Sequence, residues 1–318
     1  MHNKLSLIDT HCDTAFELFH RNEGLYGNSC HVDLYAAQCY KNYAQFFAVW
    51  ADKRRSDDEC FEDFIKISDN LRAEIAACGD KIVLARTFSE MNAAFSCGKR
   101  VAFLAVEDAR ILAGKIERLD ELSRHGVKYL TLLWGGDTCI GASHDRCGGL
   151  TEFGRAVVIR CFELGIVPDV SHASERVADE VCELALQYGK SFIASHSNCY
   201  EQFAHARNLR ARHLDTLIRL GGTVGLNLCP YHVKNVTSGD QCTLDDVLLH
   251  VEKYMELGAV DALGMGCDLD GTDLPRGLSG VGDMYKIADG LARIGYPDAL
   301  IEKIFYQNQY EFIKRNFI

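Results

Sequence analysis

The chain has 318 residues, 47% of them hydrophobic and 25% charged, with only four prolines and no linker-like tract. That composition fits one soluble globular domain spanning residues 1–318, because α/β barrels commonly reach this length undivided. A formal net charge of −11 argues against nucleic acid and anionic membranes as partners.

The first apolar run, LSLID, reads as a β-strand and leads straight into His11 and Asp13. Residues two apart on a strand share a face, so this pair projects together, with Cys12 opposite and Asp9 behind as a supporting carboxylate. A pair so early leaves no room for a signal peptide before it. AQFFAVW and IVLA add slightly more strands than an eight-stranded barrel needs, so either IVLA is peripheral or AQFFAVW opens the second unit. VAFLAV then ends at Glu107. A carboxylate closing so apolar a run needs a partner if it is buried. It reads either as a strand-end residue in solvent or as a bridge between two metal ions.

From there one unit recurs: a helical stretch ends at glycine and an apolar strand follows, as in SRHG-VKYLTLLW, CFELG-IVPDVSH, ALQYG-KSFIASH, LIRLGG-TVGLNL and MELGAV-DALGMGCD. Glycine just past a helix is the usual left-handed cap. Nearly continuous apolar strands suit a parallel sheet covered on both faces. His172 and His196 follow their glycines at the same spacing, which favours two ligands over two unrelated structural histidines. In GMGCDLDG, Asp268 and Asp270 share a face, and one of them can take up and return protons. The helices read as amphipathic. Thr151 caps TEFGRAVVIRCFELG, whose Phe153, Val157, Cys161 and Leu164 face the core. Thr243 and Asp246 form a capping box before the stripe of Val247, Leu248, Val251, Tyr254 and Met255.

His11, Asp13, Glu107, His172, His196 and Asp268 therefore stand at or just past the downstream ends of strands, where a (β/α)8 TIM-like barrel carries its active site. Three imidazoles and three carboxylates there can build a two-metal hydrolytic centre. No Walker A, HExxH or GxSxG motif competes, and Leu269 stands where a dinucleotide fingerprint needs its third glycine. Fourteen cysteines without a CxxC read as reduced, buried small hydrophobes of a cytoplasmic protein. The charged tail EFIKRNFI is too short for a membrane anchor.

In order, IDTHCDT, LAVED, GVKYLTLLW, GGLTEFGRAVV, VPDVSHAS, IASHSNCY, ARNL, GMGCDLDG and the late Gln307-Asn308 resemble the membrane (renal-type) dipeptidases, peptidase family M19, among the amidohydrolase-like metal barrels. The resemblance runs nearly end to end. It implies two zinc ions (Zn2+) per chain, one on His11 and Asp13, the other on His172 and His196, with Glu107 bridging both. It makes Asp268 the proton-transfer residue. It assigns Arg207 to the C-terminal carboxylate of a dipeptide, which a planar guanidinium can meet with two hydrogen bonds. Without the resemblance, Arg207 reads as a solvated surface charge.

Three positions depart from the family pattern. Trp134 lies on the substrate side where animal members carry a histidine, and it is followed by Gly135, whereas bacterial-type relatives usually have asparagine there. His144 either reaches in from the loop or is exposed. Asp108 replaces the glycine that commonly follows the bridging glutamate. The implied activity is zinc-dependent hydrolysis of the peptide bond of a small dipeptide, with no nucleic-acid or membrane partner and with a homodimer among the assemblies allowed. The competing readings are a related barrel hydrolase for another amide, a lactone or an ester, and a non-enzymatic metal-binding protein. Against the last, the proton-transfer residue would have no use.

Overall fold

The computed structural model describes residues 5–318. Eight strands pair only in parallel: β1 (Leu7–Cys12), β2 (Tyr43–Trp50), β3 (Ile82–Leu84), β4 (Arg100–Glu107), β5 (Val127–Thr131), β6 (Val167–Asp169), β7 (Val224–Leu226) and β8 (Leu263–Met265). Their spatial order is β6-β5-β4-β2-β1-β8-β7, and β3 pairs with β4 off this path. Both halves of the strand-surplus question are thereby answered. IVLA is peripheral, and AQFFAVW forms β2, beside β1.

The expected SFIASH strand is not regular. Ile193 and Ala194 make single parallel bridges, to Asp169 at the end of β6 on one side and to Val224 of β7 on the other. The ladder stops because side chains capture the next backbone donors. Ser195 N donates to Asp169 Oδ1 at 2.8 Å, and His196 N donates to Ser171 Oγ at 3.1 Å.

Alternating side chains divide the strand residues into two buried sets, as a sheet covered on both faces requires. Phe47, Val49, Leu104 and Val106 join the larger core beneath the surrounding helices. Phe46, Ala48, Phe103 and Ala105 pack with Phe312, Ile313 and Phe317 from the C-terminal helix and the residue beyond it. Thr151 accepts from Gly154 N, and Thr243 with Asp246 forms the reciprocal capping box. Gly165 and Gly189 close the helices Glu152–Leu164 and Glu175–Tyr188 in the left-handed conformation, at φ 69° and 59°. The equal spacing after these two caps delivers His172 and His196 to the same end of the sheet. All fourteen cysteines are free, and nine are buried. Among the described residues, no helix is long and apolar enough to cross a membrane.

Candidate metal centre

The six polar residues singled out in the sequence converge at the C-terminal ends of the strands. Glu107, the last residue of β4, is at the middle. Its Oε1 lies 3.0 Å from His172 Nε2 and 3.3 Å from His196 Nε2, and its Oε2 lies 3.6 Å from His11 Nε2. Asp13 Oδ1 and Asp268 Oδ1 each lie 3.8 Å from His11 Nε2. Three overlapping groups of candidate ligands result: His11, His196 and Asp268; Glu107, His172 and His196; and His11, Asp13 and Glu107. Within each, the ligand atoms lie within 4.8 Å of one another.

Polar atoms packed this way without their own protein partners call for a cation. His11 Nε2 and Asp13 Oδ1 are buried and accept no hydrogen bond. Gly271 leaves room beside them, since a Cβ there would fall 2.4 Å from Asp268 Oδ1 and 2.5 Å from Asp13 Oδ2. The titration behaviour points the same way. Burial pushes the Asp13 and Glu107 carboxyls up, because negative charge is costly away from water. Burial alone would lower His11, but the facing Glu107, Asp13 and Asp268 carboxylates raise it to about 10. Burial, reinforced by the positive charges of His11 and Arg207, holds His196 well below the ordinary imidazole range, and burial with Arg207 does the same for His172. Positive charge is wanted between the carboxylates, and two neutral imidazoles face it. The residues present thus fit divalent metal.

A second layer fixes the rings. The Tyr129 hydroxyl donates to Thr10 O at 2.9 Å, so its oxygen receives His11 Nδ1–H at 2.8 Å and leaves Nε2 to point at the carboxylates. The Ser195 hydroxyl donates to Asp169 Oδ2 at 2.5 Å and receives His196 Nδ1–H at 2.7 Å. Asp169 also accepts from Thr131 Oγ1 at 2.6 Å and from the Ser171 and Ser195 amides. Asp9 plays the supporting part expected of it, accepting from His11 N at 3.0 Å and Cys267 N at 3.1 Å. Asn227 Nδ2 donates to Asp268 Oδ2 at 3.0 Å, which leaves Oδ1 facing the cluster. His172, Asp268 and Asp108 hold positive φ angles of 67°, 59° and 78°. Such strain in non-glycine residues gathers at functional sites. It also explains why the position after Glu107 suits glycine. Here burial pushes the Asp108 carboxyl up to about 7.

A cavity of about 530 Å³ opens over the cluster, lined among others by Asp13, Glu107, His172 and Asp268. Trp134 is one of its walls. The indole lies 6.1 Å from the His172 ring and edge-on to Trp50 at 5.2 Å, and the Lys53 ammonium sits 5.0 Å from its centroid. His144 does reach in, with its ring edge-on to His172 at 5.5 Å, and burial lowers it to about 4. Arg207 is 3% exposed, so it is not a solvated surface charge. Its guanidinium donates to Ser197 Oγ and His196 O, both at 2.9 Å, and its Nε is buried without a partner. It lines an adjoining cavity of about 550 Å³ rather than the cavity over the cluster, and the two share His144 and Arg146.

Tyr129, Asp169, Ser195, Asn227 and His232, which also lines the cavity, were not anticipated. Asp169 carried a usable signal, being a carboxylate inside an apolar run like Glu107. Tyr129 looked like any aromatic core residue.

A parallel α/β sheet whose strand ends gather three imidazoles and three carboxylates defines a protein built around a metal centre. The chain belongs to the membrane dipeptidase family, peptidase family M19, whose family model matches residues 1–315. It is 30% identical over 206 residues to an uncharacterized dipeptidase of Schizosaccharomyces pombe, a match covering 62% of this chain and 47% of that protein. The matched stretch spans about half the length of the curated relatives. Among solved structures it is similar to the dipeptidase AC, a metallopeptidase of family M19, at 23% identity and a TM-score of 0.91, covering 98% of this chain and 99% of that one. It is also similar to a metallopeptidase from Rhodobacter sphaeroides liganded with a phosphinate mimic of the dipeptide L-Ala-D-Ala. That match has 22% identity, a TM-score of 0.90, and the same coverage of 98% and 99%.

Proposed function

We propose that this protein is a two-zinc dipeptidase that hydrolyses the peptide bond of small dipeptides. The observation that carries the reading is the shared Glu107 carboxylate, whose two oxygens face His11 on one side and His172 with His196 on the other. That arrangement supports one metal on His11 and Asp13, a second on His172 and His196, and Glu107 bridging. When bound, the ions supply an acidified water and a Lewis acid for the scissile carbonyl.

The protein's own residues do the rest. Asp268 takes the water's proton at Oδ1, since Oδ2 is occupied by Asn227, and returns it to the departing amine. Arg207 holds the dipeptide's terminal carboxylate. Its unpartnered Nε and the adjoining cavity it lines support that role. Trp134 forms the wall beside His172 and shields the reacting bond from bulk water. The two bridges of Ile193 and Ala194 support reading the sheet as a closed (β/α)8 barrel, undivided over residues 1–318. Fourteen free thiols suit the cytoplasm.

The test is a substrate panel assayed with zinc: dipeptides of both stereochemistries, their C-terminal amides, tripeptides, and simple lactones and esters. Free dipeptides should be cleaved, and amides and longer peptides should be poor substrates. Chelation should abolish the activity, and zinc should restore it. Equal cleavage of acids and amides would remove Arg207 from its role. Lactone turnover without dipeptide cleavage would favour the related hydrolase.

A further inference from the structure

The cavity over the metal centre carries two cations that neither the metal centre nor the terminal carboxylate of a dipeptide uses. Lys53 and Arg146 both line it. The Lys53 ammonium is held over the Trp134 indole at 5.0 Å, and among the described residues it makes no ion pair. Its neighbour Asp52 is taken by Arg54 at 2.6 Å. Arg146 meets Asp145 and Asp137 only at 3.4 and 3.7 Å, with no hydrogen bond to either carboxylate. Of the anions lining the same cavity, only Asp145 approaches either cation, at 3.4 Å from Arg146. Asp13, Glu107 and Asp268 face the candidate metal positions, while Asp145 accepts from Gly136 N at 3.0 Å and from the Ser143 hydroxyl.

Two cations on one cavity, in a chain of net charge −11, run against the background field. Cations so placed draw an anionic group to a defined spot and disfavour a cationic one. The terminal carboxylate of a dipeptide is assigned to Arg207, in the adjoining cavity. A second carboxylate on the substrate is what Lys53 and Arg146 are placed to meet. The indole restrains the lysine by a cation–π contact and keeps it on the cavity wall. Trp134 thereby acquires a purpose beyond filling space: its indole stands between the Lys53 ammonium, 5.0 Å from its centroid, and the His172 ring at 6.1 Å.

We propose that Lys53, backed by Arg146, makes this protein selective for dipeptides bearing an acidic side chain. The proposal rests on the dipeptidase reading. The experiment compares kcat/KM for dipeptides containing Asp or Glu with that for their Asn or Gln counterparts, at low salt and with zinc added. The acidic substrates should be preferred by roughly tenfold or more. Lys53→Met should cut that ratio about tenfold, chiefly through KM. Lys53→Glu should invert it, favouring dipeptides containing Lys. Arg146→Gln should lower the ratio in the same direction. Cleavage of acidic and amide side chains at equal rates would overturn this proposal and leave the dipeptidase reading standing. A preference for acidic substrates that Lys53→Met leaves unchanged would overturn it too. So would a loss spread equally over all dipeptides, which would mean that Lys53 reads the terminal carboxylate. Failure to cleave any dipeptide would remove both readings together.

Discussion

At the scale of single residues, the metal centre depends on side chains that never touch a metal. The Tyr129 hydroxyl orients His11 by receiving its Nδ1–H. Tyr129→Phe keeps the ring and its packing but releases that imidazole. Metal affinity should fall by roughly 10–100-fold while the fold is retained, as a titration against a competing chelator would measure. Asp268→Asn asks a different question, because it keeps size and the ability to meet Asn227 but cannot shuttle a proton. It should lower kcat by roughly 10²–10⁴-fold with metal content unchanged. Near-normal turnover in that variant would assign the proton to another group.

At the scale of elements, close approach decides what the strands can carry. Gly225 in β7 has no side chain because a Cβ there would stand 2.0 Å from Ser195 O and 2.6 Å from Thr10 Oγ1. Gly225→Ala should therefore push away the segment that bears His196 and destabilise the protein by about 3 kcal/mol, read from denaturant melts. The same crowding explains what was legible in the sequence. Apolar runs ending in His11, Glu107, His172, His196 or Asp268 announce themselves, because strand pattern and ligand lie within a few residues of each other. The bond from Thr10 Oγ1 to Ser195 O and the contact of Asp9 with Cys267 join residues far apart in the chain. No local pattern encodes such pairs. SFIASH reads as a strand for the same reason: its apolar residues say strand, while the side chains that accept the amides ending the ladder, Asp169 and Ser171, lie in the preceding unit. Lys53 was equally invisible, since only folding brings it over Trp134.

At the scale of the whole molecule, stability rests on packing around the parallel sheet and not on covalent cross-links. Every cysteine is free. Strong reductant should leave the melting temperature of the metal-loaded protein unchanged. Brief alkylation of the native state should mark Cys97 and Cys147 first, the two exposed thiols, and peptide mapping would show it. The distribution of parts over the fold has one more consequence. The candidate ligands are scattered over strand ends from His11 to Asp268, whereas Trp134, His144 and Arg146 ride on the one connection between β5 and the helix Glu152–Leu164, and Lys53 lies just past β2. Changes confined to these two connections would therefore alter what the protein accepts while leaving the candidate ligand positions in place. Losing the metal needs damage at only one of several distant codons, so descent can vary diet far more freely than it can vary chemistry.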